Sequence, residues 1–318
     1  MIRGRHRPVL VAAVLLGAMV MPLAPGVSAS LRPATHPRVI NVVAAEDTWG
    51  SLASQLGGRL VVVTSVITNP NADPHEYEAS TAVARSIGGA NFVIVNGAGY
   101  DDWAQKILAA NPAPHRFVLD IAKFLGKKPG DNPHFWYDPR YVFAVIDEIS
   151  ADYTAVDPAG ASYFRQCLAK VEASLVPYRK ALASLARRDA GVKVASTESI
   201  FQYLAEYLGL DLVTPYPFMQ AVADGYDPPV GAVATFEHQI SVRGFRVLVY
   251  NDQTITALTT TIRDQVEAKH IPVVGISETL QPSDATFQSW MLGELDRVGA
   301  ALGERHAVKS AGARPPSP

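Results

Sequence analysis

Two series of short β-branched runs alternating with helical stretches, separated by one long segment without a strand, limit what this chain can become more than any other feature. The first series places runs rich in Val and Ile at 39–44, 60–65, 92–96 and 117–119. Helices are expected between and after them, at 48–56, 80–88, 101–110 and 139–156. The second series places strands at 192–196, 211–214, 247–250 and 271–275, with helices at 198–208, 230–242, 254–269 and 284–302. Strands separated by helices predict a parallel sheet with helices on its faces.

The strandless segment between them reads as helix. Tyr163, Leu168, Val171, Leu175, Tyr178, Leu182 and Leu185 recur at three- to four-residue spacing. Asp157 suits the cap and Pro158 the first turn. Pro177 should kink this helix or divide it in two. The predicted fold is therefore α/β. Two lobes, each with a roughly four-stranded parallel sheet flanked by helices, are joined by one long linking helix. The expected boundaries are 38–157 for the first lobe, 158–189 for the linking helix and 190–306 for the second lobe. Residues 307–318, rich in Pro, Ala and Gly, are expected to be a disordered tail.

The first 29 residues have the layout of a secretory signal peptide. Arg3, Arg5 and Arg7 form a positive head, 9–20 is apolar, and Val27, Ser28 and Ala29 offer a small-residue cleavage site. The apolar run is short for a bilayer span, and an uncleaved anchor is the alternative. Cleavage after Ala29 would remove three arginines and no acid, taking the formal charge from −2 to −5. The expected location is outside the cytoplasm, secreted or in the periplasm or cell envelope. Cys167 is the one cysteine, so no intramolecular disulfide forms and none lies near the signal to take a lipid anchor. Apolar residues make up 48% and charged residues 18%, which supports a packed core. The near-neutral balance argues against nucleic acid as a partner.

In open parallel sheets ligands meet the carboxyl ends of the strands. Four candidates sit at such exits. His75 lies in 73–78 (DPHEYE) after the second strand, beside Pro74. An imidazole on a short rigid loop suits a metal; the alternative is a helix-capping loop with an incidental histidine. His134 lies in 132–136 (NPHFW), a second Pro-His pair, with Phe135 and Trp136 positioned to exclude water. The alternative is that the aromatics are core and His134 satisfies a backbone group. Glu198 ends the first strand of the second lobe and Glu278 ends its last. Either could instead be an acid favoured by a helix N-terminus. Two neutral imidazoles and two carboxylates together neutralise a divalent cation. Nitrogen and oxygen donors without sulfur are compatible with Mn, Zn or Fe(II). Asp252 is a lesser candidate at another strand exit. His6, His36, His115, His238 and His270 are expected to stand apart.

These stretches resemble the metal-specific substrate-binding proteins of bacterial ABC transporters, the zinc and manganese group. The resemblance runs from about 39 to 302 and is carried by 73–78, 90–103 (ANFVIVNGAGYDDW), 132–136, 197–208 (TESIFQYLAEYL) and 271–278. It implies two lobes on one rigid helix with little lobe movement. It implies a metal held by His75, His134, Glu198 and Glu278, with Zn or Mn as transported ligand rather than catalyst. It also implies a membrane permease as partner; the chain itself is expected to be a monomer and not an enzyme. The family more often has Asp at the last position, and the His-rich loop of zinc scavengers is absent from this sequence. A secreted metallohydrolase is the alternative. It would need three protein ligands, an open water position and a base, and the sequence has no HExxH. Glu76 is the one adjacent acid that could serve as that base.

Overall fold

The computed structural model describes residues 39–71 and 74–311, apart from the side chains of Glu76 and of residues 304–311. The signal expected at 1–29, the stretch up to 38 and residues 312–318 of the expected tail lie outside the described residues.

The first lobe contains β1 (Ile40–Glu46), α1 (Asp47–Gly57), β2 (Val61–Ile67), α2 (Thr81–Gly89), β3 (Phe92–Val95), α3 (Asp102–Ala110), β4 (Phe117–Asp120), α4 (Ile121–Phe124) and α5 (Pro139–Val156). Its strands are all parallel in the order β2-β1-β3-β4. The register pairs Ile40 with Val61, Val42 with Phe92, and Phe92 with Phe117. The central strand β3 is buried on both faces, which is why it is uniformly apolar. α5 begins where the sequence dictates. Asp138 accepts from the Arg140 amide at 2.9 Å, and Pro139 occupies the first turn. Val142, Val145, Ile149 and Tyr153 then fall on one buried stripe.

The linking segment is α6 (Ala161–Ser174) followed by α7 (Val176–Asp189). The single helix expected over 158–189 is thus divided, and Pro177 accounts for it. It lies in the first turn of α7, where a missing N–H costs least. The break is local. Leu175 donates to the Val171 carbonyl and Arg179 to the Leu175 carbonyl, each at 3.0 Å, so two helices follow in near-continuous sequence. Cys167 packs in this segment and is buried.

The second lobe repeats the first: β5 (Lys193–Ser196), α8 (Gln202–Leu208), β6 (Asp211–Leu212), α9 (Tyr216–Ala223), α10 (Val230–Ser241), β7 (Leu248–Asn251), α11 (Ala257–Ala268), β8 (Val273–Ile276) and α12 (Phe287–Ala311). The strand order β6-β5-β7-β8 is the counterpart of the first sheet. Both sheets reverse their winding beside their first strand, which is where a ligand is expected. Two features differ from the sequence expectation. α9 lies between 214 and 230, where no element is expected; it forms with Pro217 in its first turn while Phe218, Met219 and Val222 are buried. α12 runs to Ala311, into the stretch expected to be disordered from 307.

The lobes share one core. A continuous apolar cluster runs from Ile40 and Trp49 through Trp136 and Tyr137 to Phe287, Trp290 and Leu302. Polar bonds reinforce it. Tyr137 donates to the Ser277 carbonyl at 2.8 Å, the Phe287 amide donates to Ser51 Oγ at 3.0 Å, and Gln55 and Gln288 exchange hydrogen bonds. A core that crosses between lobes opposes a hinge motion, since opening would expose its apolar surface to water.

Candidate metal centre

The four candidates converge from four loops. Ligand atoms of His75, His134 and Glu198 all lie within 4.8 Å of one another. Glu278 Oε2 is 3.4 Å from His75 Nε2 and 3.5 Å from His134 Nε2. His134, Glu198 and Glu278 are buried, while the His75 side chain retains 23% of its exposure. A cleft of about 210 Å³ reaches His75 from outside, between Tyr100 and Asn132 of one lobe and Tyr216 and Asp224 of the other.

Each loop is held by identifiable groups. Asn96, just after β3, accepts from Trp49 Nε1 at 3.0 Å and donates to the Pro133 carbonyl at 2.9 Å, fixing the loop that carries His134. Asn132 Oδ1 lies 2.8 Å from His134 Nδ1. That oxygen can only accept, so Nδ1 carries the proton and Nε2 presents its lone pair to the centre. Asn132 also donates to the Ser199 carbonyl of the opposite lobe at 2.7 Å. Glu198 is extended, with φ −150° and ψ −173°, and makes no capping bond to the turn that follows. Its carboxylate instead accepts from Asn251 Nδ2 at 2.7 Å. The Glu278 amide donates to Gln253 Oε1 at 2.7 Å, and Thr279 donates to the same oxygen at 3.0 Å. Behind this loop Trp290 donates to Ser277 Oγ, and the Leu280 amide donates to the Asp47 carboxylate of the first lobe. Trp136 and Phe135 are fully buried, and the Trp136 ring stands edge-on to His134 with centroids 5.5 Å apart.

Two residues of the centre carry no charge and escape sequence reasoning. Tyr100 donates its hydroxyl to Glu278 Oε2 at 2.6 Å. Asn251 bridges Glu198 and Glu278. Tyr100 belongs to a segment that the family resemblance singles out, and Asn251 precedes the acid considered there. Asp252, the lesser candidate, has its carboxylate over Gly275 and paired with Tyr250. A carboxylate next in sequence to a strand's last residue points to the opposite side, because side chains alternate. His115, His238 and His270 are exposed and distant in role, as expected. His6 and His36 lie outside the described residues.

The electrostatics favour a cation. Burial would raise the Glu278 carboxyl, but His75, the largest opposing influence, helps hold the group well below the usual carboxylate range. Burial keeps His134 below the ordinary imidazole value despite Glu278. The acids behind the centre behave oppositely. Burial pushes Asp47 up to about 7, Asp101 to about 6 and Glu294 to about 7, against the backbone or side-chain donors each accepts from. An acid whose folded value is raised binds its proton more tightly when folded. Its contribution to stability is full below its unfolded value, about 4, and is lost as pH rises through 6–7. His134, with a lowered value, opposes this over part of the range. The three acids outnumber it, so the thermal midpoint of metal-free protein is expected to be higher at pH 5 than at pH 8. A midpoint that climbs across that interval would refute the assignment.

Residues 42–301 match the family model described as ZnuA, zinc-uptake complex component A, periplasmic. Among curated proteins, the chain is 22% identical over 184 residues to the manganese-binding lipoprotein MntA of Halalkalibacterium halodurans, covering 55% of this chain and 59% of that protein. It is 26% identical over 195 residues to the iron-binding protein YfeA of Yersinia pestis, covering 58% and 62%. These matches therefore span less than two thirds of either relative. Among solved structures, the periplasmic zinc binding protein TroA from Treponema pallidum superposes with a TM-score of 0.71 at 14% identity, covering 83% of this chain and 99% of that one. The manganese-bound periplasmic metal binding protein from candidatus liberibacter asiaticus gives 0.69 at 16% identity with the same coverage. At these identities the structural likeness establishes the two-lobed α/β fold.

Proposed function

The chain belongs to the ZnuA family of periplasmic metal-uptake components, and on that premise we propose that it captures one divalent transition-metal ion outside the cytoplasm and delivers it to an ABC importer in the membrane. The observation that carries this reading is that ligand atoms of His75, His134 and Glu198 lie within 4.8 Å of one another, with Glu278 Oε2 3.4 Å and 3.5 Å from the two imidazoles. These four are the proposed ligands. Two neutral imidazoles and two carboxylates balance the charge of a divalent ion, so the buried site strands no net charge when filled. The charged head, apolar run and small-residue site within 1–29 support export through a signal peptide.

The importer's permease is the proposed partner, and the chain is proposed to act as a monomer. The shared core supports a binding protein that presents a fixed cleft rather than closing like a hinge. The metallohydrolase alternative gains no support from the family match. The test is metal stoichiometry. Protein stripped of metal and dialysed against zinc or manganese is expected to retain one equivalent per chain. Retention of neither metal would sink the proposal.

A further inference from the structure

We propose that Asn251 sets how the two carboxylates can coordinate, holding each to a single donor oxygen and so favouring a four-coordinate ion such as zinc over manganese. The inference rests on the metal-capture reading above and adds a selectivity determinant to it.

Asn251 is the last residue of β7 and is 1% exposed. Its orientation is fixed, because its Oδ1 accepts from the Gln253 backbone amide at 2.9 Å. A backbone N–H can only donate, so the oxygen must face Gln253 and the NH₂ must face the carboxylates. That NH₂ lies 2.7 Å from Glu198 Oε1 and 2.5 Å from Glu278 Oε1, and 3.0 Å from Thr254 Oγ1. The amide's two hydrogens thus face three acceptors, and the two shorter contacts are those to the carboxylates. The pairing also screens two acids that would otherwise repel each other in a buried site.

The consequence is a division of labour between oxygens. The Oε1 atoms of both acids are turned to Asn251. Glu278 Oε2 is the atom that faces both imidazoles, and Tyr100 donates to it at 2.6 Å. Bidentate coordination would have the ion draw an Oε1 away from its charge-assisted bond with Asn251 and so weaken that bond. With each acid held to one oxygen, the protein offers two nitrogens and two oxygens. Four nitrogen and oxygen donors match zinc, whereas manganese favours six oxygen-rich positions.

X-ray absorption at the zinc and manganese edges, combined with competition between the two ions, tests the assignment on the full chain and on Asn251→Ala. Wild-type zinc is expected to be four-coordinate with nitrogen and oxygen neighbours only. In Asn251→Ala the average coordination number should rise. The preference for zinc over manganese should narrow by at least about tenfold, the scale of a single hydrogen bond to a charged group, since Asn251 makes two. A five- or six-coordinate zinc in the wild type would overturn the proposal without any variant, so a poorly folding Asn251→Ala leaves it testable. An unchanged zinc-to-manganese ratio in a folded variant would overturn Asn251's role while leaving metal capture intact. Failure of the wild type to bind either ion would overturn both.

Discussion

Replacing Glu278 by glutamine is expected to lower zinc affinity by about 10²- to 10³-fold, as measured by competition with a chelator of known affinity. The substitution preserves the shape and reach of the side chain and removes one negative charge. A filled site would then carry one uncompensated positive charge in a fully buried position. Breaking a buried charge pair costs about 3–5 kcal/mol, and each 1.4 kcal/mol is about a tenfold change in affinity. The loss should be concentrated in binding rather than folding. The loop that carries Glu278 is held through its backbone, by Gln253 and Asp47, and through its neighbour Ser277, by Tyr137 and Trp290. Those contacts do not involve the substituted carboxylate. A variant that binds zinc within tenfold of the wild type would remove Glu278 from the ligand set.

The second large effect is on stability. At a free zinc concentration of about a thousand times Kd, binding stabilises the folded state by about 4 kcal/mol. For a chain of this size, each kcal/mol moves the thermal midpoint by about 2–4 °C. Zinc-loaded protein is therefore expected to melt about 8–16 °C above chelator-treated protein. The donors come from both lobes, so the ion adds a link across a core that already joins them. Glu278→Gln should lose most of the difference at the same zinc concentration. Equal midpoints with and without zinc, in protein shown to have bound it, would mean that the ion also binds the unfolded chain.

Much of this architecture is legible in the sequence because its signals are local. Each of the eight described strands falls within a few residues of its β-branched run. α5 coincides with the expected 139–156, because Asp138 and Pro139 mark its start and its apolar stripe marks its face. The Pro-His pairs and the two acids stand out because charged or ionisable groups at strand exits need a reason to be there. α9 is obscured because its prolines read as loop signals while its stability comes from burial of Phe218 and Met219. Asn251, Asn132 and Tyr100 are obscured for another reason. Neutral amides and phenols are common in any turn, and their meaning lies in partners remote in sequence. Tyr100 and Glu278 are 178 residues apart, and Asn251 and Glu198 are 53 apart.

What the sequence determined by itself is the order of elements, the parallel two-lobed plan and the four ionisable residues placed at strand exits. Periodicity, capping and loop position act over a few residues, so they can be read along the chain. What only the tertiary structure decided is that these four come together, that Asp252 turns away while Asn251 turns in, and which oxygen of Glu278 faces the imidazoles. Those outcomes depend on the packing of two lobes against a common core. Strand alternation then selects one of two adjacent residues, and hydrogen bonds across large sequence separations fix the orientation of the one selected.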